Sequence, residues 1–406
     1  MDLPGEHLSS DALDEAAVPA IVMVATGTQP ASLVLPAAAE LGRRIVAGDR
    51  TREIEDEKMS RDHAIVGWHR GTWTVTDRDS RNGTFVDGER VTGSVARRGD
   101  VIVRLGATIF VLLADGRGHP MPSDGETVVG PELARAYEQI RSHAAGRTLL
   151  LEGEAGTGKE LAARLYHITG PRKQGPFVMV DCAAILADRH DQLSGYIQRA
   201  AGGTLFLDEL IDLDPALHAD LDATIEYARD IGFVAATHRE LRSAVAEKQF
   251  SSELHDRFAN TSVRLPPLRA RKVDIARLIQ RELAAVSPAL LAHAKLVEAC
   301  LLRPWPGNVR ELRTAIRQAA AEAIAGKRDV VRREDLAATA GMPCASVAAD
   351  TAVERSNTNV EELDKAAVET ALENAGGMIS VAARALGLHR TQLYRLMDKL
   401  GIARDD

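Results

Sequence analysis

Hydrophobic and polar positions divide this chain into stretches of different period. Between residues 31 and 114, short apolar-alternating runs ("ELGRRIV", "HAIVGW", "TWTVTD", "GTFVDG", "DVIVRL", "TIFVLL") are separated by turn clusters. That spacing predicts a β-sandwich. A stretch rich in Gly, Pro and Asp, residues 115–132, reads as a linker. From 133 to 265 apolar strands alternate with helical patterns, which predicts a parallel sheet covered by helices. After "RLPPLRARKVD" the period is almost wholly helical, and residues 266–342 are expected to form a helical subdomain. A small, polar second linker spans 343–358, and 359–406 carry a three-helix pattern broken at Gly376-Gly377 and Gly387. Residues 1–30 are expected to be a flexible N-terminus. The fold class is therefore multidomain: a β-sandwich, an α/β domain with a helical lid, and an all-α module.

Composition narrows this picture. A chain of 406 residues is long for one domain, and 45% hydrophobic with 27% charged residues permits buried cores throughout. The net charge of -8 argues against a chain coated in nucleic acid along its length, without excluding one basic face. Cys182, Cys300 and Cys344 are isolated, with no metal or disulfide spacing, which fits a reducing cytoplasm. The apolar run near the N-terminus is about half of the ~20 residues a membrane span needs, so neither a signal peptide nor a membrane partner is expected.

The candidate chemistry sits in four places. "GEAGTGKE" follows the strand "RTLLLEG" and precedes a helix, so its backbone amides would wrap phosphates while Lys159 adds a point charge. The nucleotide-binding set is Gly153, Glu154, Ala155, Gly156, Thr157, Gly158, Lys159 and Glu160, joined by Arg310 of "RPWPGNVRELR", a guanidinium at a helix start. "GGTLFLDEL" ends a buried strand on Asp208 and Glu209; one carboxylate would hold Mg²⁺ through water and the other would orient attacking water on ATP. In the sandwich, Ser60, Arg61 and Asn82 supply a hydroxyl, a guanidinium and an amide on loops, while His63 reads as a brace. At the C-terminus, Arg384, Arg390, Arg395, Lys399 and Arg404 oppose Asp398 alone within 379–404, a local +4 that suits DNA phosphates. His389, Arg390, Thr391 and Gln392 open the last helix, where base edges would be read, and Arg395 and Lys399 would hold phosphates.

"MSRDHAIV" followed by "DRDSRNGTFVDGERV" resembles the forkhead-associated (FHA) domain, a phosphothreonine-binding β-sandwich. The resemblance implies that Arg43, Ser60 and Arg61 contact the phosphate, and that Arg81 and Asn82 contact the peptide. Gly42-Arg43 and Gly48-Asp49-Arg50 both offer the family's opening Gly-Arg, with Arg43 preferred for its distance to Ser60. "GEAGTGKELAARLYH", "GPFVMVDCAA", "GGTLFLDEL", "RLPPLRAR" and "PWPGNVREL" resemble the AAA+ domain of bacterial enhancer-binding proteins, the sigma-54-dependent activators; the last 48 residues resemble their Fis-type helix-turn-helix. Relatives carry Glu at position 160 and a "GAFTGA" loop that contacts the sigma factor. Here only 19 residues separate Cys182 from Gly202 and the loop is missing; the second pore loop also looks cut in "LDATIEYARDIGFVAATH". Asp181 replaces an Asn that restrains the catalytic Glu, His238 replaces an Asn that senses the γ-phosphate, and Ser251 replaces a first arginine finger. Arg257 matches the second finger, which places it in the catalytic set with Asp208 and Glu209.

The sequence thus reads as a cytoplasmic transcription regulator that binds ATP and DNA and senses a phosphothreonine partner from a Ser/Thr kinase pathway. It is expected to form a homo-oligomer, a dimer or an AAA+ ring. Hydrolysis is expected to be weak or lost, with sigma-54 holoenzyme not remodelled and contact with RNA polymerase left open. Two other readings stand beside it: a working sigma-54-dependent ATPase, and a phosphopeptide scaffold with a vestigial ATPase.

Overall fold

The computed structural model describes residues 18–118, 123–124, 127–185 and 190–343, and beyond them Lys365, Val368, Leu393 and Met397. The chain falls into two compact units, the first built from residues up to His143 with 151–166 and 263–343, the second from 144–150 and 167–262.

The first unit opens with a β-sandwich of twelve strands: β1 (Ala20–Thr26), β2 (Gln29–Pro36), β3 (Ala39–Leu41), β4 (Arg44–Ala47), β5 (Arg50–Glu53), β6 (Ala64–His69), β7 (Thr72–Asp77), β8 (Thr84–Val86), β9 (Glu89–Val91), β10 (Ser94–Arg98), β11 (Val101–Leu105) and β12 (Thr108–Leu113). One sheet runs β2-β1-β12-β11-β8-β9 and the other β10-β7-β6-β3-β4-β5. Alternation shows plainly in β7, where Trp73 and Val75 are buried and Thr74 between them is exposed. A two-residue pair, β13 (Ser123–Asp124) with β14 (Thr127–Val128), leads to helix α1 (Pro131–His143).

The sandwich begins earlier than its sequence pattern predicts. Residues 1–30 are expected to be flexible, yet Ala20–Thr26 form β1, hydrogen-bonded on both sides to β2 and β12. The reason is that β1, β11 and β12 are buried on both faces, so period-two alternation disappears from them. Ile21, Met23, Val103, Phe110 and Leu112 fill the sandwich interior. Val22, Val24, Ile102, Ile109 and Val111, on the opposite face, join a second core built mainly from the helical lid. A sheet face buried on both sides reads as a continuous apolar run.

That lid consists of α7 (Ile275–Val286), α8 (Ala294–Leu301) and α9 (Asn308–Ala325), with the short strands β20 (Leu291–Ala292) and β21 (Val330–Val331) paired at its edge. Leu296, Val297 and Leu301 of α8 and Leu312 and Ile316 of α9 lie in the same core as the outer face of β1, β11 and β12. One ion pair crosses this junction: Arg104 Nε of β11 donates to Glu298 of α8 at 2.6 Å, with both side chains about nine-tenths buried. The Arg104 guanidinium also covers the Phe85 ring at 3.9 Å and donates to the Gly106 carbonyl at 3.1 Å.

The second unit carries parallel strands β16 (Phe177–Asp181), β17 (Thr204–Asp208) and β18 (Gly232–Thr237), part of a five-stranded sheet ordered β16-β17-β18-β15-β19 that β15 (Thr148–Glu152) and β19 (Ser262–Arg264) complete. Helix α2 (Lys159–Thr169) follows β15, α3 (His190–Arg199) precedes β17, and α4 (His218–Tyr227), α5 (Leu241–Ala246) and α6 (Ser252–Ala259) flank β18. The predicted α/β domain is therefore present. The four described residues of the C-terminal module include Leu393 and Met397, both buried.

The junction between sandwich and lid makes a testable demand. Glu298→Ala leaves the Arg104 charge buried and unpaired, and is expected to destabilise the first unit by about 3 to 5 kcal/mol. Arg104→Met combined with Glu298→Leu is expected to recover most of that loss. Denaturant unfolding followed by tryptophan fluorescence checks both.

Candidate functional site

The phosphate loop belongs to the first unit. Gly153, Gly156 and Gly158 all take positive φ, backbone that glycine adopts without the penalty a Cβ brings. Lys159 is buried and its Nζ donates to the carbonyl of Gly153 at 2.9 Å, across the loop it belongs to. Glu160, exposed at the start of α2, is paired instead with Arg164 one turn on.

The lid holds this loop through residues that the sequence reading passed over. Asn308, fully buried with φ 51°, opens α9. Its Nδ2 donates to the Ala155 carbonyl at 3.0 Å and to the Glu154 carboxylate at 3.1 Å, while its Oδ1 accepts from the Leu268 amide at 2.7 Å. Arg269 binds both Glu154 oxygens, at 2.8 and 2.5 Å, and this pairing holds the Glu154 carboxyl below its ordinary range. Arg271, buried, donates to the Thr157 carbonyl and lies 3.6 Å from Asp274, whose carboxyl burial pushes up to about 7. The Val309 amide donates to the Gly156 carbonyl. Arg310 is exposed with its stem against Gly156: a Cβ added there would strike the Gly307 carbonyl and crowd the Arg310 Cβ. The signal for Asn308 was available in "PGNVREL", since a left-handed helix entry favours Asn.

The acidic set belongs to the second unit. Asp181 and Asp208 sit opposite each other in parallel register at the ends of β16 and β17. Asp181 Oδ1 accepts from the Ala183 amide at 3.1 Å and caps the short turn that follows. Cys182 beside it is fully buried, and burial followed by the nearby carboxylates pushes its thiol well up. Glu209, with φ 52°, turns its carboxylate to the end of β18, where Oε2 accepts from the His238 amide at 3.1 Å and from His238 Nδ1 at 2.7 Å. The residue that grips Glu209 here is thus His238, whose position the sequence had singled out without naming this contact.

Arg257, on α6, donates to Asp222 at 2.7 and 3.2 Å and to Glu226 at 2.6 Å. Those two carboxylates stand one turn apart on α4, the helix that runs to β18 with four residues between. Ser251 caps α6, its Oγ accepting from the Leu254 amide.

In the sandwich, the residues assigned to phosphopeptide lie around one edge. The Arg43 amide donates to the Ser60 carbonyl, the Arg81 amide to Ser60 Oγ at 3.2 Å, and Asn82 Nδ2 to the Lys58 carbonyl at 2.6 Å. Gly42 fits there only without a side chain, because a Cβ would meet the Arg61 carbonyl. Arg43, Arg61 and Arg81 are exposed. His63 is fully buried beneath them; Nδ1 accepts from the Ser60 amide at 3.0 Å and Nε2 donates to the Gly83 carbonyl at 3.3 Å. It braces both loops in neutral form, and burial lowers its pKa. The proposed DNA-contacting residues His389, Arg390, Thr391, Gln392, Arg395 and Lys399 lie outside the described residues. Among the described residues, no helix is long and apolar enough to cross a membrane.

His63 yields a prediction with a definite sign. Its folded pKa lies below the unfolded value of 6.5, so the stability it contributes is present above pH 6.5 and is lost as pH falls through the folded pKa. His63→Ala removes two hydrogen bonds and is expected to destabilise the sandwich by about 1 to 3 kcal/mol at pH 7.5, with a weaker dependence on pH below 6.5. Thermal unfolding across pH 5 to 8 measures both effects.

Comparison with known proteins places these parts. Residues 128–264 match the model of the sigma-54 interaction domain, 40–106 the FHA domain, 269–344 the AAA+ ATPase lid domain, and 359–400 the bacterial regulatory protein, Fis family. A Nif-specific regulatory protein of Herbaspirillum seropedicae is 34% identical over 232 residues, covering 47% of this chain and 42% of the relative. One from Azotobacter vinelandii is 32% identical over 306 residues, covering 66% and 58%. The transcriptional regulatory protein ZraR of Klebsiella oxytoca is 32% identical over 286 residues, covering 62% and 63%. The chain therefore spans less than two thirds of the length of these curated relatives. Among solved structures, NtrX from Brucella abortus in complex with ADP aligns with a TM-score of 0.49 at 23% identity, covering 68% of this chain and 70% of that one. The chain thus carries FHA, sigma-54 interaction, AAA+ lid and Fis-family domains in this order, and in these domains it is similar to sigma-54 activator-type regulators.

Proposed function

We propose that this chain is a DNA-binding regulator that uses ATP as a ligand, hydrolyses it poorly, and reads a phosphothreonine partner through its sandwich. The phosphates would lie on the amides of Gly153 to Lys159, with Arg310 reaching in from the lid. Asp208 would hold Mg²⁺ through water, the ion neutralising charge on the phosphates. His389 to Gln392 would read bases, and Arg395 and Lys399 would hold DNA phosphates. Exposed Arg43, Arg61 and Arg81, with Ser60 and Asn82 between them, present the charge and donors that a phosphothreonine peptide needs. A bacterial regulator of this kind would act in the cytoplasm as an oligomer.

The observation that carries the weak-hydrolysis part is the grip on Glu209. A carboxylate that must take a proton from attacking water has one oxygen committed to two N–H donors of residue 238. Arg257, the residue in the position of an arginine finger, is bound by Asp222 and Glu226 within its own unit. The sequence "GAFTGA", which the resemblance makes the sigma-factor contact of relatives, does not occur between Cys182 and Gly202, so remodelling of sigma-54 holoenzyme is not expected.

Turnover measurements test this reading. The purified chain is expected to bind ATP with Mg²⁺ and to hydrolyse it well below about 1 s⁻¹, the lower end for ordinary enzymes. His238→Asn is expected to raise turnover by at least about tenfold, a gain that Glu209→Gln abolishes. Ordinary turnover in the unmodified chain, lost in Glu209→Gln, would sink the proposal.

A further inference from the structure

The sandwich of this chain is not strung beside the lid; its sheet supplies one wall of the lid's core. Val22, Ile102, Ile109 and Val111 pack with Leu296, Val297 and Leu301, and the Arg104–Glu298 pair is sealed among them. Breaking such a junction would expose both an apolar face and a buried charge pair, so sandwich and lid are packed as one body.

Each end of that body touches a proposed ligand site. On the sandwich side, Asp56 is buried beneath the loop that carries Ser60. Its Oδ1 accepts from the Lys58 amide at 2.9 Å, and its Oδ2 accepts from the Ala107 amide at 2.7 Å and from Thr108 Oγ1 at 2.9 Å. The turn at Gly106 is pressed so closely on Lys58 and Met59 that a Cβ would stand 2.7 Å from their backbone atoms. The same turn offers its Gly106 carbonyl to Arg104, which grips Glu298. On the lid side, α8 leads through fully buried Trp305, whose Nε1 donates to the Cys300 carbonyl, to Asn308 and its bonds to Ala155 and Glu154 of the phosphate loop.

We propose that the phosphothreonine loops and the phosphate loop are coupled through the Arg104–Glu298 junction, so that a phosphopeptide on the sandwich changes affinity for ATP and ATP changes affinity for the phosphopeptide by the same factor. The inference rests on the binding roles proposed above for both loops and adds a linkage between them. Its physical ground is that the Gly106 turn pressed on the Ser60 loop is held by Arg104, whose partner Glu298 stands on the helix that leads to Asn308, so ordering of one loop by its ligand changes what the other must still order. Equality of the two factors is required by thermodynamic linkage and separates coupling from nonspecific effects.

The test uses the full chain, a fluorescent non-hydrolysable ATP analogue with Mg²⁺, and a pool of phosphothreonine peptides with randomised flanks, its unphosphorylated counterpart serving as control. The analogue is titrated with and without saturating peptide, and the peptide with and without saturating analogue. Both affinities are expected to shift by the same factor of about fivefold or more. Arg104→Met with Glu298→Leu, which keeps the junction packed, is expected to bring that factor close to one while each ligand still binds alone. Binding of both ligands with no mutual shift overturns the inference and leaves the function reading standing. A shift that persists unchanged in the double variant overturns the assigned route. Failure of either ligand to bind alone overturns the binding role of its loop, and the linkage with it.

Discussion

The left-handed helix entry at Asn308 is the constraint around which the nucleotide half of this protein is organised. Two groups that would otherwise lack partners meet on one side chain, the Leu268 amide at the entry to the lid and the Ala155 carbonyl in the phosphate loop, and the same side chain reaches the Glu154 carboxylate that Arg269 also holds. Leaving such buried groups unsatisfied would cost about 1 to 3 kcal/mol each. A carboxamide accepts and donates in one plane, so Asn serves where an ionised Asp or a Leu could not. Arg269 and Arg271 extend the same clamp to Glu154 and Thr157. The phosphate loop is thereby shaped by the lid.

A second consequence concerns the sandwich. Because β1, β11 and β12 bury both faces, the sandwich is no tethered module but shares a core with the lid that shapes the phosphate loop. In the second unit the acidic set follows a different logic. Asp208 stands beside Asp181 at the ends of β17 and β16, whereas Glu209 is turned to His238 and Arg257 to α4. In the function proposed above, Glu209 and Arg257 are the groups so restrained.

Much of this was legible in the sequence where a motif fixes backbone geometry. The glycines of "GEAGTGKE", the acids closing "GGTLFLDEL" and the alternation of "TWTVTD" each announce a local conformation. His63 was legible as a brace because buried histidines are usually satisfied ones. What escaped depends on distance along the chain. The Arg104–Glu298 pair joins residues 194 apart, and no local period marks either one. Strand β1 hid because its second face is covered by helices some 250 residues further on, which erased the alternation that would have revealed it. Position 238 stood out by its residue type, but that its ring reaches Glu209 follows only from the turn that gives Glu209 a positive φ. Arg257 was placed in the catalytic set by its position, and its carboxylate partners on α4 came to light only with the fold.

The claim that this chain keeps ATP as a ligand is tested most directly by the chemical state of the nucleotide it holds. The full chain, in excess over ATP with Mg²⁺ at 25 °C, would be quenched in acid at successive times and its nucleotide identified by chromatography. The account predicts that bound ATP turns to ADP with a rate constant well below about 1 s⁻¹. Conversion at about 1 s⁻¹ or faster would contradict it.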